Sequence, residues 1–305
     1  MIGTTRALGN SRILQGVHVA LLLASGLLSA GCSEIFFAAI GSFVPDNEVR
    51  TQRDQVFDTA HGLALDVYVP RSASTGAAVV FFYGGSWEAG KRHWYRYVGD
   101  ALASNGVVAI IPDYRKFPNA HFPEFMHDAA NAVAWARDHA AEFGGDPKRL
   151  FVMGHSAGGQ IAALLATDKR YLNSVGMRPR DLAGMIGVAG AYAFLPFVEN
   201  EAEIFGDDAR GRYDSQPINF VDGDEPPMLL LQGVDDREVP PHNAEAMAER
   251  AQAMDGTAAL KIYPDVGHVS IMLAFARGHH SHVPALADTL AFIADPPSAK
   301  QAPTQ

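Results

Sequence analysis

The chain has 305 residues, 48% hydrophobic and 19% charged, with a formal net charge of −10 from 24 Lys and Arg against 34 Asp and Glu. That length suits one large domain or two small ones and buries roughly 75% of the unfolded surface, so no disulfide staple is needed. The apolar content excludes disorder over most of the length, the aperiodic Gly and Pro exclude collagen-like and low-complexity chains, and an acidic chain without a basic run repels nucleic acid.

Arg6 and Arg12 precede an uncharged apolar stretch, Val17 to Gly31, that ends at Cys32, the only cysteine. A basic start and a short apolar core form the pattern of an export signal, and the stretch is too short for a comfortable membrane span. Ser29, Ala30 and Gly31 before Cys32 resemble a bacterial lipoprotein signal, although the aliphatic residue usual three places before the cysteine is Ser29, with Leu28 one step earlier. The resemblance implies cleavage after residue 31, lipidation of Cys32 and attachment of an exported protein to a membrane. Residues 32–53 are then expected to be a tether. Its apolar Ile35, Phe36 and Phe37 suit either the bilayer surface or a face of the domain.

From about residue 54 to 296 the chain alternates strand and helix patterns. Leu63 to Val69 alternates apolar and polar residues, the pattern of a half-exposed strand near a sheet edge. Ala77 to Tyr83, Val107 to Ile111, Leu150 to Met153, Met185 to Val188 and Met228 to Gln232 are continuous apolar runs, which a strand covered on both faces requires. Ala258 to Tyr263 offers a late strand. Helices are expected over Tyr95 to Asn105, Phe125 to Phe143, Ala157 to Thr167, His242 to Met254 and Ala285 to Ile293. This order predicts an α/β domain with one doubly wound, mostly parallel sheet of seven or eight strands. Residues 191–226 carry prolines and acids but no clear strand, and are expected to form a small lid. Residues 297–305 read as a disordered tail.

Gly154-His155-Ser156-Ala157-Gly158 lies between the strand LFVM and the helix GGQIAALLA, which is the strand–turn–helix setting of a G-x-S-x-G elbow. On so tight a bend the serine is strained, and a Cβ at position 154 or 158 would collide with neighbouring backbone. A hydroxyl presented there, at a helix N-terminus, is a candidate nucleophile that needs a base. His268 follows the last strand on a loop. Asp235 and Asp236 follow the strand Met228 to Gln232, and either can orient the histidine; the order Ser, Asp, His fits this kind of sheet. Gly84 and Gly85, at the end of an early buried strand, offer amides to a substrate oxygen. His155 is expected to point away from Ser156 into packing. His279, His280 and His282 cluster without carboxylates at ligand spacing, so no metal site is expected. Trp87, Trp94, Tyr95, Tyr192, Phe194 and Phe197 are candidates to line an apolar pocket.

With these motifs in place, residues 54–295 resemble the α/β-hydrolase superfamily, in its branch of carboxylesterases, kynurenine formamidases and prenylcysteine methylesterases. The branch's His-Gly-Gly-x-Trp appears as Tyr83-Gly84-Gly85-Ser86-Trp87, and its Gly-x-x-Asp-x-x-Val-Pro falls on Gly233, Asp236, Val239 and Pro240. Asp113-Tyr114-Arg115, Phe143 to Arg149 and Gly190-Ala191-Tyr192 match as well. The resemblance implies a Ser156–Asp236–His268 triad, with Asp235 the alternative acid, an oxyanion hole from the amides of Gly85, Ser86 and Ala157, and no cofactor. It implies hydrolysis of a small-molecule carboxylic ester through an acyl-enzyme. An aryl formamide or amide hydrolase would use the same residues. A non-catalytic surface lipoprotein is the reading of another class, and the intact triad candidates speak against it.

Overall fold

The computed structural model describes residues 37, 40, 49–276 and 282–297. Continuous apolar runs became interior strands. β3 (Ala78–Phe82), β4 (Val108–Pro112), β5 (Leu150–His155), β6 (Gly184–Val188) and β7 (Met228–Gly233) are buried along their whole length. Each fully buried Val, Leu, Ile or Phe here contributes about 1.5–3 kcal/mol from water exclusion. With β1 (Val49–Asp58), β2 (Leu63–Pro70) and β8 (Ala258–Tyr263) they form one eight-stranded sheet in the order β1-β2-β4-β3-β5-β6-β7-β8. Strands β3 to β8 run parallel to one another, and only the β1–β2 and β2–β4 pairs are antiparallel.

The described helices are α1 (Arg96–Ser104), α2 (Glu124–His139), α3 (Ala157–Thr167), α4 (Lys169–Asn173), α5 (Glu201–Phe205), α6 (Ala209–Asp214), α7 (His242–Ala253) and α8 (Ala285–Ala294). Each expected helix is present within a few residues. The long second one ends its α-turns at His139, continues as a 3-10 turn to Phe143 and stops at Gly144, whose φ of +85° is a left-handed cap. None of the described helices is long and apolar enough to cross a membrane.

Two expectations change at the sheet's edge. Strand β1 occupies residues 49–58, so it begins inside the segment expected to be a tether. Its charged sequence VRTQRDQVFD hides it, because an edge strand takes its stability from ladder bonds and its charges discourage further pairing. Register shifts around Arg53 and Asp54, where Asp54 has φ +56°, bulge the strand. The Arg92 guanidinium ties the bulge down, pairing with Asp54, Asp66 and Asp113. Consequently β2 lies near the sheet edge, as its alternation predicts, but it is not half-exposed. It lies second in the sheet and is buried over most of its length, with the Tyr68 ring against Gly99 of α1, where a Cβ would come within 2.4 Å.

Residues 191–226 hold α5, α6 and a 3-10 turn at Pro217–Phe220, with no strand. Residues 1–31, Cys32 and 298–305 lie outside the described residues, as do His279 and His280 of the late histidine cluster; His282 is exposed.

Candidate active site

Ser156 sits where β5 turns into α3, with φ +56° and ψ −123°, a conformation costly for a residue bearing a Cβ. The flanking glycines make the bend possible. A Cβ at Gly154 would lie 1.9 Å from the Gly158 carbonyl oxygen, and one at Gly158 would lie 2.1 Å from that of Phe82. The second contact presses the elbow against the end of β3, so the Gly84–Ser86 loop is held beside the serine. The same loop turns back on itself, with Gly85 at φ +135° accepting from the amides of Glu88 and Ala89 at 3.0 and 2.8 Å. Among the described residues the amides of Gly85 and Ser86 donate to no backbone oxygen. Ala157 is the first residue of α3, so its N–H has no partner within the helix.

Tyr83, the leading residue of the Tyr-Gly-Gly-Ser-Trp stretch, anchors this loop from below. It is fully buried and its ring stacks on Tyr114 at 4.8 Å. Its hydroxyl donates to Asp113 Oδ1 at 3.2 Å and accepts from Lys116 Nζ at 3.0 Å. The Tyr114 hydroxyl donates to the Tyr83 carbonyl at 2.9 Å. Burial pushes the Tyr83 and Tyr114 hydroxyls well above the usual phenol range and lowers Lys116. The Asp113-Tyr114-Arg115 motif is thereby explained as loop support, with Arg115 forking onto Asp128 of α2.

Of the two candidate acids, the structure brings Asp236 to the histidine and leaves Asp235 exposed. Asp236 Oδ2 lies 2.8 Å from His268 Nδ1 and accepts from Gln232 Nε2 at 3.0 Å. Its Oδ1 accepts from the backbone amides of Glu238 and Val239 at 3.0 and 2.9 Å. A buried carboxylate with four donors is fully satisfied, and it fixes the proton of the neutral imidazole on Nδ1. His268 Nε2 therefore offers its lone pair to the cleft, where the Glu238 carboxylate lies 3.7 Å away. Ser156 and His268 line the same cavity, and among the described hydrogen bonds none joins the Ser156 hydroxyl to His268.

His155 does more than pack. It is buried between Phe37, Tyr95 and His268, with its ring 4.8 Å from that of His268. Its Nε2 donates to the His268 carbonyl oxygen at 3.1 Å, while its buried Nδ1 has no partner. Burial first, then the neighbouring imidazole, hold His155 well below its ordinary pKa, so it is neutral. The elbow thus grips the histidine loop through the side chain beside the serine, a contact between positions 113 residues apart that no local pattern announces.

The cleft has two lobes that meet at Ser86 and Ser156. A small one, about 110 Å³, lies over Gly84 and Gly85 and is walled by Phe37, Trp94, Tyr95, His155 and His268. A larger one, about 610 Å³, is lined by Trp87, Phe194, Leu195, Val239 and the 191–198 segment. Four of the six aromatic candidates reach these lobes. Tyr192 lies beneath, buried against Gly187 and Gly190, and Phe197 packs on Phe205 at 5.7 Å. Phe37 and the rim acid Glu199 lie in segments without a motif, and the rim acid Glu238 falls on an unspecified position of the Gly233–Pro240 motif. Among the described residues Asp58, His61 and Asp128 come close enough together to share a cation, but none lines either lobe and Arg115 already occupies Asp128.

A mostly parallel eight-stranded sheet with a serine on this elbow is the α/β-hydrolase fold. Two solved structures share it. A truncated form of a carbohydrate esterase from gut microbiota superposes with a TM-score of 0.71 at 18% identity, over 82% of this chain and 98% of that one. Esterase B of Lactobacillus rhamnosis gives a TM-score of 0.72 at 18% identity, over 92% and 96%. Residues 65–251 match the BD-FAE family, and the chain belongs to that family. Among curated relatives, a probable isoprenylcysteine alpha-carbonyl methylesterase of Arabidopsis thaliana is 28% identical over 239 residues, which is 68% of this chain and 49% of that protein. Esterase LipC of Mycobacterium tuberculosis is 30% identical over 251 residues, 73% of this chain and 60% of that protein. The chain spans 49% to 60% of the length of these relatives.

Proposed function

We propose that the protein is a serine carboxylic-ester hydrolase acting through Ser156, His268 and Asp236. The observation that carries this reading is the buried Asp236–His268 pair at 2.8 Å, beside a serine in a strained elbow and in one cavity with it. The relatives' names, methylesterase and esterase, point to the same bond.

His268 Nε2 takes the proton of Ser156 as Oγ bonds to the ester carbonyl carbon, and the imidazolium is stabilised by Asp236. The tetrahedral oxyanion accepts from the amides of Gly85, Ser86 and Ala157, at the positive end of α3. When the carbon–oxygen bond to the alcohol breaks, the proton on Nε2 leaves with the alcohol and the acyl group stays on Ser156. Water then attacks the acyl-enzyme with His268 as base, releasing the acid. In unliganded sites the serine–histidine bond is often long and tightens when substrate is bound. In this reading residues 191–226 act as a small lid over the larger lobe. Cys32 carries the lipid that holds the exported enzyme on a membrane, which a mass measurement on the processed N-terminus tests.

The test of the chemistry is hydrolysis of a short nitrophenyl ester by the wild type and Ser156→Ala, alongside the matching aryl formamide. Wild-type ester turnover that vanishes in Ser156→Ala, with an unchanged fold by circular dichroism, is expected. Undiminished turnover in the variant would sink the assignment, and turnover of the formamide alone would reassign the bond.

A further inference from the structure

Phe37 lies twelve residues before the first strand and outside the 65–251 span shared with the family, yet only 5% of it is exposed. Its ring stacks on Tyr95 at 4.9 Å and meets His155 edge-on at 5.7 Å. Those two contacts fix it as a wall of the small lobe, in the same cavity as the Gly84–Ser86 loop, Ser156 and His268. Ile40, the next described residue, packs against the same core.

We propose that Phe37 is a specificity-determining residue: its ring walls the cleft and limits one side of the ester to a short group. This rests on the ester-hydrolase reading of Ser156. The small lobe, about 110 Å³, offers much less room than the neighbouring lobe of about 610 Å³, and the Phe37 ring is part of its boundary. The ring is wedged between aromatic neighbours rather than swinging in solvent, so it rejects longer groups by overlap. One methylene that a pocket accepts or refuses changes kcat/KM by about tenfold or more. Removing the ring enlarges the lobe without altering the nucleophile, the base or the oxyanion amides.

The test compares wild type with Phe37→Ala, Phe37→Leu and Phe37→Trp on two panels of esters. One varies the acyl group from acetyl to octanoyl on a fixed nitrophenol; the other varies a straight-chain alcohol on a fixed acetyl group. Thermal melting selects the variants that are folded, and Phe37→Leu keeps the test available if alanine loosens the segment. In wild type kcat/KM is expected to fall steeply with length in one panel. In Phe37→Ala the ratio of hexyl-length to two-carbon substrate should rise at least tenfold in that panel alone, and Phe37→Trp should lower it. An active wild type whose folded variants keep both ratios within twofold overturns the wall alone. A wild type inactive on every ester overturns the hydrolase reading, and the wall with it.

Discussion

Replacing Asp236 with asparagine tests how much the site depends on one buried charge. The carboxylate accepts four hydrogen bonds: two backbone amides on Oδ1, and His268 Nδ1 and Gln232 Nε2 on Oδ2. Asparagine keeps one acceptor oxygen and gains a donor. If its oxygen stays on the amides, its NH₂ faces His268 Nδ1 and turns the imidazole to the tautomer with hydrogen on Nε2, which cannot take a proton from serine. Gln232 Nε2 also loses that acceptor, and Gln232 cannot simply flip, because the same nitrogen donates to the Val239 carbonyl at 3.0 Å. The reverse orientation puts NH₂ against two amide donors, which is worse. Loss of the productive tautomer predicts a fall in kcat of about 10⁴, and one orphaned buried donor costs about 1–3 kcal/mol of stability. Nitrophenyl-ester kinetics and urea unfolding of Asp236→Asn measure both. The exposed neighbour supplies the control, since Asp235→Asn should change stability by less than about 0.5 kcal/mol and leave kcat intact. Retention of more than a tenth of kcat by Asp236→Asn, or an equal loss in Asp235→Asn, would refute the reasoning.

Acidification should expose the buried His155. Its pKa is depressed in the folded state, so its contribution to stability is complete above the unfolded-state value near 6.5 and is lost as pH falls below it, by about 1.4 kcal/mol per pH unit for one proton. His155→Phe should start less stable at pH 7.5, having lost the bond to the His268 carbonyl, and the gap to wild type should narrow between pH 6.5 and 5; parallel urea-denaturation curves over that range would contradict this. Gly158→Ala would place a Cβ 2.1 Å from the Phe82 carbonyl oxygen and 2.7 Å from that of Tyr83, both rigid backbone. The elbow and the Gly84–Ser86 loop must part by a sizeable fraction of an ångström, and a loss of about 10² in kcat is expected. A kcat within threefold of wild type would show that the loop and elbow are not coupled this way.

What the sequence discloses here tracks how local each signal is. Strands β3 to β7 are readable because a strand covered on both faces must be apolar at every position, and Ser156 because its bend demands glycines at fixed offsets. Local pattern leaves Asp235 and Asp236 alike and only the motif resemblance favours Asp236; the physical reason appears when the chain returns to place the backbone amides of 238 and 239 on that carboxylate. β1 is hidden because its stability comes from pairing with β2 and from Arg92, 38 residues beyond Asp54, not from its own apolar content. Phe37 and His155 are hidden for the same reason. An aromatic in a presumed tether and a histidine between glycine and serine acquire meaning only when Tyr95 and the His268 loop are folded onto them.

The proposed chemistry requires the hydroxyl of residue 156 to be the one that forms a covalent bond. Incubation of the wild-type protein with a fluorophosphonate, followed by peptide mass mapping, reads this directly. A single adduct on Ser156, abolished in His268→Ala and slowed about 10⁴-fold in Asp236→Asn, is the predicted result. An adduct on another residue, or none at concentrations that label a known serine esterase, would contradict it.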